Sequence, residues 1–457
     1  MTTREPTGIS TLDLMIEGGV PRGSLILVAG NPGSGKTVFC AHFLHHGAEK
    51  LGETGIYVSF SEARDTFLTE MKGFGFDFEK LQNEGKFRFL DFPAMGEHGV
   101  ETTVEVILKH MRETKAQRLV IDSFSAMAQA FRNRNDARII LHTILSKMTR
   151  QAGCTTFLIT EVPTGDNRLG ISMEEFVADG VLILKREKEF GIRELEIQKM
   201  RGTRVPQFHQ MFTLDGGFQL IASFSMPKPT TTATWEPIPD SDTHFSTGSR
   251  DLDRMLDGGY RRGAYVLLEA EPSVPLEATQ LVSFSTAWNF LSKRRGVFIL
   301  PSSGIVQEEY RRSLSPYVGD AYDKCVTVYS AAKPDKSGAE PWRQPQVELR
   351  KRTGGSLLTM IGYDLLESNY ADHLDELFNL LGHSIMECKL QGELALAIAG
   401  PGLEVTRRAV YLSDYHLRLI ERNGSVFLHG VKPRTPPYAL ICDVSRGYPA
   451  AALKPSI

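Results

Sequence analysis

The chain lacks most features that would set it apart from ordinary folded proteins. It has five cysteines in 457 residues, Cys40, Cys154, Cys325, Cys388 and Cys442, and none neighbours another. That odd, scattered set argues against a disulfide framework and a sequence-local zinc site. Reduced core thiols in a cytoplasm are the expectation. No stretch approaches the roughly 18 consecutive apolar residues of a membrane helix, so no membrane span is expected. The opening MTTREPTGIS has no apolar core, so no secretory signal is expected. An excess of one charge is missing as well. Lys and Arg number 52 against 55 Asp and Glu, a formal net charge of -3. That balance excludes a dedicated basic coat for nucleic acid.

What is present is a globular composition, 41% hydrophobic and 23% charged. It suffices for about two or three domains with cores of their own. The chain also repeats itself. At a shift of 240, TGISTLDLMIEGGVPRG (7–23) and TGSRDLDRMLDGGYRRG (247–263) share nine of 17 positions. Average composition gives roughly one match by chance. Each copy precedes an apolar run, LILVAG from Leu25 and YVLLEA from Tyr265. The reading is one domain twice, at 1–222 and 247–457, joined by a Pro/Thr-rich linker at 223–246.

In the first copy the strand candidates are Leu25–Ala29, Gly55–Phe60, Arg118–Asp122, Thr155–Thr160, Gly180–Leu184 and Arg193–Gln198. Helical patterns at 37–51, 65–73, 101–114 and 135–152 alternate with the earlier ones. Such alternation predicts an α/β fold, a mainly parallel sheet with helices on both faces. The last two strands, with Gly191 between them, are expected as an antiparallel hairpin at the sheet edge.

Gly30-Asn31-Pro32-Gly33-Ser34-Gly35-Lys36-Thr37 fits G-x-x-x-x-G-K-[ST] between a strand and a helix, the context of a phosphate loop. The glycines let backbone N–H groups turn inward around phosphate oxygens. The helix N-terminus adds partial positive charge. These residues and Val38 are the expected cofactor-binding stretch. Lys36 is assigned to the β/γ-phosphates of ATP and Thr37 to Mg²⁺. Asp122, ending the strand RLVID, would complete the Mg²⁺ shell, or else cap the next segment. Glu62, just past the second strand, faces the ligand crevice and would orient water, or else begin a surface turn. Lys199 and Arg201 alternate along a strand end and so share a face. They read as a finger on a neighbour's γ-phosphate in a ring, or as a solvated basic turn.

Together these residues resemble the RecA-superfamily branch that contains KaiC, the haloarchaeal gas-vesicle regulator GvpD and archaeal RadA paralogues. TGISTLDLMIEGGVPRGSLILVAGNPGSGKT is similar to the start of a KaiC domain. Met173–Leu184 and Lys199–Thr203 are similar to late motifs of the family, and the resemblance covers about residues 5–222. It implies two tandem RecA-like P-loop domains, ATP and Mg²⁺, slow hydrolysis, and hexameric rings with ATP between protomers. It also implies Lys36 and Thr37 on the phosphate and magnesium positions, Asp122 on the second acidic motif, and Lys199 and Arg201 as the trans-acting pair. The family pairs two glutamates after the second strand. Here the pair reads Ser61-Glu62, which leaves Glu62 to act alone or hydrolysis slow or absent.

The second copy has lost these residues. The same shift sets Gly30 against Ala270, Gly33 against Ser273, Gly35 against Pro275, Lys36 against Leu276 and Thr37 against Glu277. Proline removes a backbone donor, and glutamate puts negative charge where phosphate would sit. Gly362 stands opposite Asp122, with Asp364 as a shifted acid, and no acid stands opposite Glu62. Lys432-Pro433-Arg434-Thr435 echoes the Lys199 run. A pseudo-ATPase half for packing, ring assembly or partner binding is expected, and autokinase activity is not.

Three smaller features complete the reading. His42, His45 and His46 share a helix face, read as polar rather than metal-binding. Phe131, Arg132, Arg134 and Arg138, and the loop Gly165–Gly170, offer charge and stacking to single-stranded DNA, although a solvated helix start is favoured. The expected function is a slow ATPase whose nucleotide state controls ring assembly and the capture of an unidentified protein partner. The alternatives are a RadA-like DNA-binding recombination mediator and a non-hydrolysing ATP-binding adaptor or transcriptional regulator.

Overall fold

A computed structural model describes residues 3–92, 99–128, 153–162, 177–205, 208–330 and 341–456. The chain divides into two units, Met1–Ala222 with Ser456–Ile457, and Ser223–Pro455.

The strands of the first unit are β1 (Arg4–Glu5), β2 (Val20–Pro21), β3 (Leu25–Gly30), β4 (Gly55–Ser59), β5 (Phe87–Asp91), β6 (Arg118–Asp122), β7 (Thr155–Glu161), β8 (Gly180–Arg186), β9 (Arg193–Met200), β10 (His209–Thr213) and β11 (Gln219–Leu220). Its described helices are α1 (Ser10–Met15), α2 (Lys36–Lys50), α3 (Arg64–Gly73), α4 (Phe78–Asn83), α5 (Gly99–Thr114) and α6 (Phe124–Ala128). β1 and β2 form their own antiparallel pair. The other nine strands form one sheet, ordered β11-β10-β9-β8-β3-β7-β6-β4-β5. From β8 to β5 neighbours run parallel, and β9, β10 and β11 are added antiparallel.

Every side chain of central β3 is buried. A strand with helices on both faces must be apolar throughout rather than alternating. Ile26 and Val28 pack with Phe39 and Phe43 of α2, while Leu25, Leu27 and Ala29 pack with Ile107 and Met111 of α5. The β8–β9 hairpin is antiparallel and turns through Gly191 at φ +72°. It is not the sheet edge, because β10 and β11 extend the sheet beyond β9. Met211 and Phe212 of β10 are buried and need that place. The helical pattern at 135–152 lies outside the described residues.

The second unit follows the same plan. Its strands are β12 (His244–Phe245), β13 (Tyr260–Arg261), β14 (Tyr265–Ala270), β15 (Val297–Leu300), β16 (Val326–Val328), β17 (Leu358–Gly362), β18 (Leu394–Ala399), β19 (Tyr415–Arg422), β20 (Ser425–Lys432), β21 (Tyr438–Asp443) and β22 (Ala450–Pro455). The sheet order β16-β15-β17-β18-β14-β19-β20-β21-β22 repeats the first strand for strand. The repeated Thr-Gly and Asp have a matching job in both units. The Thr7 amide and hydroxyl both donate to Asp13 Oδ1 at 2.7 Å, and those of Thr247 donate to Asp253 Oδ1 at 2.7 Å. Gly248 follows at φ +82°, and a Cβ there would meet the Ser285 carbonyl oxygen at 2.0 Å.

The stretch 223–246, expected from its composition as a linker, packs into the second unit. Trp235 is 3% exposed and stacks near Trp288 and Tyr448. Asn289 brackets the Ile238 backbone, accepting at 2.8 Å and donating at 3.2 Å. Asp240 pairs with Lys293 at 2.7 Å and Arg295 at 2.5 Å. All five cysteines are free, and only Cys442 is not fully buried. Among the described residues no helix is long and apolar enough to cross a membrane.

Candidate functional site

β3 ends at Gly30, and α2 begins at Lys36 with Gly35 at its N-cap in the left-handed region, φ +100°. Gly33 also has positive φ, +73°. Such geometry favours glycine and leaves successive amides free to converge. Lys36 folds back over the loop, its Nζ donating at 2.9 Å to the carbonyls of both Gly30 and Asn31. Burial lowers its pKa, against the charges of Glu161 and Asp122. The Ser34 hydroxyl is buried and has no hydrogen-bond partner among the described residues. Asn31 Nδ2 ties the loop to the Val162 carbonyl at 3.3 Å.

Parallel pairing of β6 with β4 and β7 brings Asp122 to the loop side of the sheet. Its Oδ2 accepts from Thr37 Oγ1 at 3.0 Å and from the Tyr57 hydroxyl at 2.5 Å. Burial raises the Asp122 pKa, opposed by the hydrogen bonds from Tyr57 and Thr37 and by the Lys36 charge. The paired hydroxyl and carboxylate of Thr37 and Asp122 are hard oxygen donors suited to Mg²⁺.

Glu62 follows β4 in a turn closed by Ser59, whose hydroxyl donates to the Glu62 carbonyl at 2.7 Å and accepts from its amide at 2.9 Å. The carboxyl is half-buried, and its pKa is raised to about 7, by burial first, then by Glu70 and Asp122. Glu62 and Asp122 therefore lie within electrostatic reach of each other.

Sequence reasoning missed two residues of this cluster, Tyr57 and Glu161. Glu161 ends β7 directly beside Gly30 in the sheet register. Tyr57 reaches Asp122 from the neighbouring strand. Neither lies in a local motif. An acid closing an apolar strand was the available sign of Glu161.

Lys199 and Arg201 lie at the other end of the sheet. Met200 pairs with Gly180, and Gly180 with Ile26 at the start of β3. The loop begins four residues on, roughly 13 Å along the strand. Neither cation completes the loop of its own unit. Lys199 Nζ donates to the Ala178 carbonyl at 2.7 Å, and Arg201 pairs with Asp179 at 3.1 Å.

The second unit differs where expected. The helix Leu276–Ser292 begins after Pro275, with Leu276 52% exposed. Gly362 ends β17, and a Cβ there would lie 2.5 Å from the Ser302 backbone, so no side chain fits. Asp364 Oδ2 instead accepts from the Ser303 amide at 2.8 Å. Lys432 Nζ donates to the Ser413 carbonyl, as Lys199 does to Ala178.

His42, His45 and His46 are half-buried, in keeping with a partly exposed polar face. His42 packs edge-on to Phe76 and His45 lies against Phe76 and Phe78. Among the described residues no cluster of His, Cys, Asp or Glu could hold a metal alone. Phe131, Arg132, Arg134, Arg138 and Gly165–Gly170 lie outside the described residues.

Residues 5–221 match the family model described as ATPase: KaiC. Residues 234–340 match the model described as GvpD basic region 2. In this chain that stretch holds 12 Lys and Arg against 15 Asp and Glu. Protein GvpD2 of Halobacterium salinarum is 26% identical across 94% of this chain and 93% of its own length. The circadian clock oscillator protein KaiC of Prochlorococcus marinus is 30% identical across 64% of this chain and 57% of its own length. A solved KaiC-like protein from Pyrococcus horikoshii OT3 is 35% identical, with a TM-score of 0.44, across 49% of this chain and 100% of its own. With the KaiC model on the first unit and the GvpD likeness running nearly end to end, the chain is a KaiC/GvpD-like protein on a RecA-like fold.

Proposed function

We propose that the first unit binds ATP with Mg²⁺ and hydrolyses it slowly, and that its nucleotide state controls ring assembly and the capture of a protein partner. The observation that carries this reading is the Thr37–Asp122–Tyr57 cluster beside Lys36 and the glycine loop. On nucleotide binding, Lys36 exchanges the Gly30 and Asn31 carbonyls for β/γ-phosphate oxygens. The loop amides from Asn31 to Val38, without Pro32, cradle the phosphates. Thr37 and Asp122 hold the Mg²⁺, whose charge neutralises the phosphates when bound. Glu62 orients the attacking water and accepts its proton. As the lone carboxylate of its pair, it keeps turnover slow.

Lys199 and Arg201 lie too far from their own loop, so in this reading they serve a neighbour's nucleotide. That requires a heterologous, head-to-tail contact, which closes into a ring, here a hexamer. The second unit, without a phosphate loop, serves assembly or partner binding.

Mass by light scattering, with and without Mg-ATP, tests this alongside phosphate release from the same samples. A hexamer-sized species with slow, Lys36-dependent release is expected. An ATP-independent monomer or dimer without release overturns the ring switch. Single-stranded DNA is then the next addition, for the recombination-mediator reading.

A further inference from the structure

We propose that Arg4 is a positioning residue for the cation pair Lys199 and Arg201, an inference that rests on the trans-acting reading above. Gly202, directly after the pair, has φ +68° and open space around its missing side chain. A glycine turn of this kind swings unless its backbone is held. On its strand side the turn is fixed by Lys199 on the Ala178 carbonyl and by the Arg201 amide on the Asp179 carbonyl at 2.8 Å. On its far side Arg4 supplies the hold. Its guanidinium donates to the Gly202 carbonyl at 2.8 Å and to Thr203 Oγ1 at 2.6 Å, and pairs with Glu17 at 2.8 Å. Glu17 in turn accepts from the Arg204 amide at 3.2 Å. Residues 202–204 are thus gripped by one cation and one anion.

The clamp is anchored in the core. Arg4 pairs with Pro21 across β1 and β2, and the Arg22 amide donates to the Thr3 carbonyl at 2.9 Å. The next residue, Glu5, points the other way along the strand and meets fully buried Arg118 at 3.0 Å. Arg118 also holds Glu53 at 2.7 Å and the Phe43 carbonyl at 2.7 Å. The planar guanidinium of Arg4 spreads its contacts over two nitrogens, one on Thr203 and the other on the Gly202 carbonyl and Glu17, a fork that the single nitrogen of an ammonium does not reproduce. Groups that act on a phosphate in another protomer tolerate little displacement.

Arg4→Ala and Arg4→Lys in the full chain test the proposal. Phosphate release should fall about tenfold or more. Affinity for a fluorescent ATP analogue should stay within about twofold. Release unchanged in Arg4→Ala overturns the proposal. A purely structural role is separated by mixing protomers. Arg4→Ala keeps its phosphate loop, and Lys36→Ala keeps its turn. In a one-to-one mixture, about one quarter of interfaces join a live loop to a clamped turn, so release should recover to about a quarter of wild type. If this mixture stays inactive while Arg201→Ala with Lys36→Ala recovers, Arg4 does not act through the turn. If neither mixture recovers, the trans-acting reading itself falls. Should Arg4→Ala not fold, Thr203→Val in the same mixture decides the matter, since it leaves the Arg118 network intact.

Discussion

At the scale of single residues the site is governed by buried carboxyl groups. Burial pushes the Asp122 carboxyl towards protonation, and hydrogen bonds from Tyr57 and Thr37 pull it back. Tyr57→Phe removes a bond to a charged group worth about 1.5–3 kcal/mol. The Mg²⁺ concentration for half-maximal phosphate release should then rise by about tenfold or more. An unchanged Mg²⁺ titration would place Asp122 outside the metal shell. In the proposed mechanism Glu62, as the base, sets the pH dependence. Its pKa is raised to about 7, and a general base works deprotonated, so kcat should fall as pH drops through about 7. Glu70→Gln removes a negative neighbour, lowers the Glu62 pKa and moves the acid limb to lower pH. A limb that stays in place belongs to another group. Lys36, Thr37 and Asp122 were legible because a loop and a strand end advertise themselves locally. Tyr57 and Glu161 were not, because sheet register alone brings β4 and β7 to the site.

At the scale of elements, the phosphate loop is constrained where β3 meets β8. A Cβ on Gly30 would lie 2.1 Å from the Leu184 carbonyl oxygen and 2.7 Å from Ser34 Oγ. Gly30→Ala must displace backbone, so a loss of about 1–3 kcal/mol is expected. Gly33 has open space, and its alanine variant meets only the positive-φ penalty of about 1–2 kcal/mol. Denaturant midpoints compare the two, and weaker ATP binding should accompany the Gly30 variant. A Gly30 variant as stable as wild type would mean that the strands part freely. Alternation of apolar runs and amphipathic stretches disclosed β3, β4, β6, β7, β8 and β9. It did not disclose β10, whose burial follows no two-residue period, or the two-residue β11. Gly362 had looked like a lost acid. Its close approach to the Ser302 backbone makes it a packing position as well.

At the scale of the whole molecule, the two units have diverged in a way that a spectrometer can separate. The tryptophans are Trp235, Trp288 and Trp342, all buried and all in the second unit. Trp235 lies in the stretch that reads as a linker from its proline and threonine content. Composition there hides Trp235 and Asp240, whose side chains dock it. Intrinsic tryptophan fluorescence therefore follows unfolding of the second unit only. Ligand stabilises only the unit that binds it, by about 2.7 kcal/mol at 100 times Kd. At about 2–4 °C per kcal/mol for units of this size, ATP should raise the calorimetric transition of the first unit by roughly 5–10 °C. The tryptophan transition should stay where it is. Lys36→Ala should abolish the calorimetric shift without moving the fluorescence midpoint. A tryptophan transition that rises with ATP even in Lys36→Ala would locate nucleotide in the second unit. The substitutions from Ala270 to Glu277 would then not have ended binding there.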